Sequence, residues 1–204
     1  MGKRSTYNNK DCIHLCSVDE QDLLLLQKHK DVKRIVLELE GLSVDTLDFL
    51  RPCLNVQEIV IYGGKIKDYS ALEALTTLNK LFLNGRLRRW QESFDFLSGI
   101  IGLEYLNIMN YPLFTRFPNL EKLAKLTRVK ISGCKRLTDI SEVASIPNLA
   151  YFGIVSTPQT VEDLEFIAKK EGMKAMSGAF GSKKKDDEFS VLLQKYGLVY
   201  GLYL

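Results

Sequence analysis

A short pattern, apolar-x-x-apolar-x-apolar, returns along the whole chain at nearly constant intervals. It is met at Val32, Ile35, Leu37; at Val56, Ile59, Ile61; at Leu78, Leu81, Leu83; and at Leu103, Leu106, Ile108. It is met again at Leu126, Val129, Ile131, at Leu149, Phe152, Ile154, and finally at Val199, Leu202, Leu204. A degenerate copy begins Met173, Met176, Gly178, and Ile13 and Leu15 open the series. The triplets alone prove little, because a chain this rich in aliphatic residues holds roughly eight by chance. The spacing is the stronger signal. The middle positions Ile13, Ile35, Ile59, Leu81, Leu106, Val129, Phe152, Met176 and Leu202 lie 22, 24, 22, 25, 23, 23, 24 and 26 residues apart. A period of this length marks stacked supersecondary units.

Each interval has the same grammar. An alternating run such as RIVLELE or EIVIYGG reads as a strand. After a turn comes a segment with apolar residues at helical spacing, as in VDTLDFLRPCL, PNLEKLAKL and TVEDLEFIAKK. In the last of these, Val161, Leu164, Ile167 and Ala168 mark one face, Thr160 stands where a cap belongs, and Glu162 and Asp163 sit near the positive helix end. Gly172 terminates it. One strand and one helical segment cannot bury their own apolar face. Stacked on neighbours they can, which predicts an α/β solenoid.

Two stretches, EIVIYGGKIKDYSALEALTTL and RVKISGCKRLTDISEVASIPNL, resemble the internalin-type class of leucine-rich repeat, in which a strand is followed by I-x-D-x-x-x-L-x-x-L. The second also carries Cys134 where the cysteine-containing class has its Asn or Cys. The resemblance covers residues 32 to 157 well, and 11 to 31 and 158 to 204 only through spacing. It implies a curved parallel sheet of about eight to nine strands on the concave side, with helices or helical turns on the convex side. A single leucine-rich repeat domain is then expected over 11–204: an N-terminal cap at 11–31, regular repeats at 32–172 and degenerate repeats at 173–204. Residues 1–10, all but free of apolar side chains, are expected to form a disordered tail. The ninth repeat position is Glu40, Gly64, Arg86, Tyr111, Cys134 and Thr157, so only Cys134 matches the family, with Thr157 as a substitute. Without a regular side-chain ladder the loops must satisfy their backbone otherwise. Irregular curvature follows, with 87–94 and 111–118 as the least regular loops.

Composition removes several classes. The 28 basic and 25 acidic residues leave a net charge of +3, too weak to argue for nucleic acid or an anionic membrane. Leu23 to Leu26 is far too short to span a bilayer, and no apolar run follows the basic N-terminus. Cys12 and Cys16 are four apart without a second pair or a following histidine, so free thiols and a cytoplasmic location are expected, with no metal. Gly2 fits the loose myristoylation pattern of MGKRST, which is read as a chance match. No GxSxG, P-loop, GxGxxG or HExxH is present, Gly63–Gly64 reads as a turn, and His29 reads as a solvated helix end. The chain is not expected to be an enzyme or to carry a cofactor; an active centre would have to draw on His14, Cys12 and Cys16. Arg86, Arg88, Arg89 and Trp90 read as a solvated loop, and GSKKKDDEF as a solvated loop whose Asp186, Asp187 and Glu188 start the last helix, with a basic docking loop through Lys183, Lys184 and Lys185 as the alternative. The terminal LVYGLYL reads as an edge strand blunted by its shortness and Gly201, with a weak homodimer through that edge as the alternative.

Alternation along each strand assigns the outward side chains. Val36, Val60 and Phe82 align across three strands, with Asn107 and Lys130 continuing that row. Tyr62, Asn84 and Met109 lie one outward position further along, and Tyr105, Arg128 and Tyr151 form the neighbouring row. Aromatic residues flanked by Arg and Lys compose a protein-binding surface; the competing reading is cross-strand stiffening, or a loop folded over them. The expected function is therefore non-catalytic protein recognition by a scaffold, adaptor or inhibitor. The internalin resemblance implies a bacterial source. The alternative is a structural or self-assembling protein joined through its terminal strands.

Overall fold

The computed structural model describes residues 5–8, 11–86 and 93–201. The chain opens with strand β1 (Thr6–Asn8), antiparallel to β2 (Cys12–Leu15), followed by helix α1 (Glu20–Lys28). Strands β3 (Arg34–Glu38), β4 (Ser43–Thr46), β5 (Glu58–Tyr62), β6 (Lys65–Asp68), β7 (Lys80–Asn84), β8 (Tyr105–Met109), β9 (Arg128–Ser132) and β10 (Tyr151–Val155) follow. The short helix α2 (Glu165–Ala168), β11 (Ala175–Ala179), α3 (Lys183–Lys195) and β12 (Val199–Tyr200) complete the order. Ten strands form one sheet in the order β1-β2-β3-β5-β7-β8-β9-β10-β11-β12, parallel throughout except at β1. β4 and β6 pair in a second, two-stranded parallel sheet.

The register follows the repeat. Ile13, Ile35, Ile59, Leu81, Leu106, Val129, Phe152 and Met176 pair in succession and are fully buried. The last unit departs from expectation: Tyr200, not Leu202, pairs with Met176. α3 ends early enough for Gly197 (φ +64) to turn the chain and Leu198 to pack on the core, so the strand starts two residues sooner. A two-residue slip preserves the face each side chain occupies. The strand count exceeds eight to nine because of β1, which occupies part of the segment expected to be a disordered tail. Its residues pair from Thr6↔His14 to Asn8↔Cys12, and the Ser5 hydroxyl accepts the Cys16 N–H. Gly2 lies outside the described residues.

The return segments differ from the expected helices. VDTLDFLRPCL folds as β4 and a 3₁₀ turn over Asp48–Leu50. PNLEKLAKL forms no helix: Leu120, Leu123 and Leu126 are buried by successive tight turns, Leu123 N–H bonding Leu120 and Leu126 N–H bonding Leu123. TVEDLEFIAKK is a 3₁₀ turn (Glu162–Leu164) running into α2, and here Asp163 is the acceptor, taking both the Thr160 N–H and hydroxyl. Strand spacing explains the difference. Neighbouring strands stand about 4.8 Å apart, whereas a helix is about 10 Å wide. A unit flanked on both sides fits better with a narrow return, and the two long helices stand at the ends of the stack.

Each narrow return has a local cause. Thr46, Asp68, Ser93 and Asp139 accept, through their side chains, the N–H two residues on: those of Asp48, Ser70, Asp95 and Ser141. These side-chain turns start the 3₁₀ segments Asp48–Leu50, Ser70–Ala74, Asp95–Gly99 and Ser141–Ser145. Residues 111–118, expected to be irregular, supply Tyr111, Phe114 and Phe117 to the core, where Phe94 meets Phe114 at 4.5 Å and Tyr111 at 4.9 Å between ring centres. The lysines of GSKKKDDEF lie inside α3 rather than in a loop before it; Ser182 caps the helix by accepting the Lys185 N–H.

Candidate partner-binding face

Outward side chains form three rows. The first runs Arg34, Glu58, Lys80, Tyr105, Arg128, Tyr151; the second Val36, Val60, Phe82, Asn107, Lys130, Gly153; the third Glu38, Tyr62, Asn84, Met109, Ser132, Val155. The strand alternation thus brings every expected partner-binding residue to one face. Val36, Tyr62, Phe82, Asn84, Tyr105, Met109, Lys130 and Tyr151 are half-buried, and Arg128 is exposed. Val60 and Asn107 differ: each is on this face, yet only 5% and 6% exposed. The central row of an inward-curving sheet is crowded by larger neighbours, so these two support the surface rather than form it.

The aromatic groups are held by specific contacts. Phe82 and Tyr105 meet edge to face at 5.1 Å. The Arg128 guanidinium lies 4.8 Å from the centre of the Tyr151 ring, and that of Arg86 lies 4.7 Å from Tyr62. Cation–π contacts of this kind are worth about 0.5–1 kcal/mol at open sites and also fix the ring planes. Arg86 reaches Tyr62 because its backbone is left-handed (φ +51), a turn secured by the Asn84 carboxamide oxygen, which accepts the Arg86 N–H at 3.0 Å and the Asn110 amide at 3.1 Å. The sequence reading placed Arg86 in a solvated loop; the short Asn-x-Arg spacing was the available signal. Arg88, Arg89 and Trp90 lie outside the described residues.

Along the first row Arg34 Nε is 2.9 Å from Glu58 Oε1, and Tyr105 stands between Lys80 and Arg128 on the neighbouring strands. Burial pushes the Tyr105 phenol up, against the pull of Asn107 and Arg128. The Asn107 carboxamide oxygen is buried with no hydrogen-bond partner among the described residues. Cys134, the one family-type ninth residue, does lie in the buried loop. Burial raises its thiol to about 11 against the backbone groups of Tyr111 and Asn110.

At the N-terminal end of the same face stands a cluster that the sequence reading did not assemble. His14, Cys16 and Glu38 bring their ligand atoms within 4.8 Å of one another. His14 lies between the two cysteines rather than after them. Alternation puts His14 and Cys16 on one face of the chain, next to Glu38 of β3.

Ten strands in near-constant register, joined by narrow buried returns, define a leucine-rich repeat solenoid. Among solved structures it is similar to internalin C2 of Listeria monocytogenes, with a TM-score of 0.55 and 18% identity over 80% of this chain and 70% of that one. It is also similar to an internalin (inlF) of the same species, with a TM-score of 0.51 and 13% identity, where the match covers 93% of this chain and 58% of that one. At such identities the likeness is one of fold. Neither a protein-family model nor a curated protein matches the sequence.

Proposed function

We propose that this protein is a non-catalytic recognition module that holds a protein partner on the concave face of its sheet. The observation that carries the reading is the set of four aromatic side chains, Tyr62, Phe82, Tyr105 and Tyr151, fixed by edge and cation–π contacts while still open to solvent. Preorganised anchors lose little conformational entropy on binding, which is how a rigid sheet converts modest area into affinity. The same proposal puts the protein in the cytoplasm as a scaffold, adaptor or inhibitor, where its four cysteines, none of them in a disulfide, stay reduced. Among the described residues no helix is long and apolar enough to cross a membrane.

The test compares wild type with a Tyr62→Ala, Phe82→Ala, Tyr105→Ala variant, both folded by circular dichroism, first in affinity capture from native extract and then with the purified partner. The expected result is a loss of affinity of about 100-fold or more, since each central anchor of an interface commonly contributes at least tenfold. Equal binding by both proteins overturns the reading and moves the interface to the lysines of α3 or to the terminal strands. A sedimentation series checks the alternative of self-assembly through those strands. A monomer at all concentrations is expected, because among the described residues β12 contributes only Val199 and Tyr200 to pairing.

A further inference from the structure

We propose that His14, Cys16 and Glu38 form a binding site for one zinc-class divalent metal ion at the N-terminal end of the concave face. The three residues come from adjacent parallel strands. His14 lies within β2, Cys16 directly follows it, and Glu38 ends β3, one pair beyond Leu15↔Leu37. Successive odd and even positions alternate faces, so His14 and Cys16 project on the same side and Glu38 stands across from Cys16.

The donor set is chemically apt. Imidazole nitrogen, thiolate sulfur and carboxylate oxygen are the three ligand types of tetrahedral zinc sites, and a site with three protein ligands keeps a fourth position for water or another group. Zinc bonds of about 2.0–2.3 Å put tetrahedral ligands roughly 3.3–3.6 Å apart. The ligand atoms already lie within 4.8 Å of one another, and His14 Nε2 is 3.8 Å from Glu38 Oε1. Small rotamer changes close the remainder without moving the strands.

A second observation points the same way. Nε2 of His14 is shut off from solvent and has no hydrogen-bond partner among the described residues, although the side chain as a whole is 36% exposed. A buried polar atom left unsatisfied is a standing cost to the folded state. This one points its nitrogen toward the Glu38 carboxylate at a distance too long for a hydrogen bond and suited to an ion between them. Among the described residues, Arg86 faces the site as a cation, its Nη2 3.9 Å from the same carboxylate oxygen. It competes with the metal for that oxygen, and once the ion is seated it orients the carboxylate from behind, as outer partners of metal ligands do. Soft sulfur with one nitrogen and one oxygen selects zinc or cobalt over calcium and magnesium.

The experiment is titration of the full chain, purified metal-free in a non-chelating reductant, with Co²⁺ and then with Zn²⁺ in competition. One equivalent of Co²⁺ is expected to bind with a thiolate-to-cobalt charge-transfer band, and Zn²⁺ is expected to erase it. Cys16→Ser should abolish the band, and His14→Gln and Glu38→Gln should each weaken affinity about tenfold or more. All three side chains lie on the open face and not in the core, so circular dichroism should be unchanged. Cys12→Ser serves as the control and should bind as wild type. Absence of a band at saturating cobalt overturns the proposal. So does a band that survives in Cys16→Ser, or equal affinity in folded His14→Gln and Glu38→Gln. Protection of Cys16 from a thiol reagent by bound Zn²⁺ gives a readout on the wild type alone, and unprotected Cys16 in zinc-saturated protein likewise overturns it.

Discussion

Val18 has a left-handed backbone (φ +58), a conformation that β-branched residues resist, and the residue that holds it there is Asp22. The Asp22 carboxylate is buried and accepts the N–H of Ser17 at 3.0 Å, the N–H of Val18 at 2.8 Å and the Ser17 hydroxyl at 3.1 Å. Burial opposes ionisation, but the hydrogen bonds from Ser5, Ser17 and Val18 outweigh it and hold the acid below the usual carboxylate range. A depressed native pKa means that the folded state favours the ionised form. The stabilisation is therefore complete above the unfolded value of about 3.9 and is lost as pH falls through the native one. Asp22→Ala is expected to destabilise by about 2–3 kcal/mol at neutral pH. In denaturant melts of both proteins the gap should narrow below about pH 4; a gap that is constant with pH would remove the charge from the explanation.

At the scale of elements, the turn that carries the chain from β5 to β6 depends on the glycine pair. Gly63 and Gly64 have φ of +66° and +82°, and a Cβ on Gly64 would stand 2.7 Å from Leu39 Cβ, inside the core. Gly64→Ala combines a strained backbone with a clash and is expected to cost about 2–3 kcal/mol. Gly172→Ala, also left-handed (φ +83) but with nothing within 4 Å, isolates the backbone part at about 1 kcal/mol. Guanidinium unfolding midpoints at unchanged slope read both. The strands from β2 to β11 of the main sheet and their register were legible in sequence because a strict repeat leaves one way to stack inward residues, whereas β1, the β4–β6 pair and the register of β12 were not. The returns were not. Leu120, Leu123 and Leu126, three apart, fit a helix face and a coil of tight turns equally well, and the choice depends on neighbours only 4.8 Å away. The aromatic rows were legible for the same reason as the strands. The burial of Val60 and Asn107 was not, because it depends on the curvature of the whole sheet. The His14–Cys16–Glu38 cluster was half legible: alternation and the repeat register put the three residues on one face, whereas the approach of their ligand atoms depends on side-chain rotamers.

The molecule as a whole is a one-dimensional stack, in which each unit packs on its two neighbours, so position along the stack should decide how a lost contact is felt. Leu106 sits in β8 with strands on both sides and no exposure, while Phe189 of α3 closes the C-terminal end. Phe189 contacts Phe180 and Tyr200 at ring separations of 5.1 and 6.3 Å and is 1% exposed. Truncating either to alanine removes about 2–5 kcal/mol of local packing. The difference lies in what else must open. Unfolding at Leu106 breaks the stack in the middle and exposes two interfaces, so Leu106→Ala should lower global stability by nearly its full cost. Unfolding at Phe189 detaches only β11, α3 and β12 and exposes one. Phe189→Ala should therefore raise amide exchange in those C-terminal elements by two or more orders of magnitude, while β5 to β8 keep wild-type protection. Hydrogen exchange read by mass spectrometry separates the two. Uniform loss of protection across the sheet in Phe189→Ala would mean that the ten strands unfold as one cooperative unit rather than as a stack of neighbours.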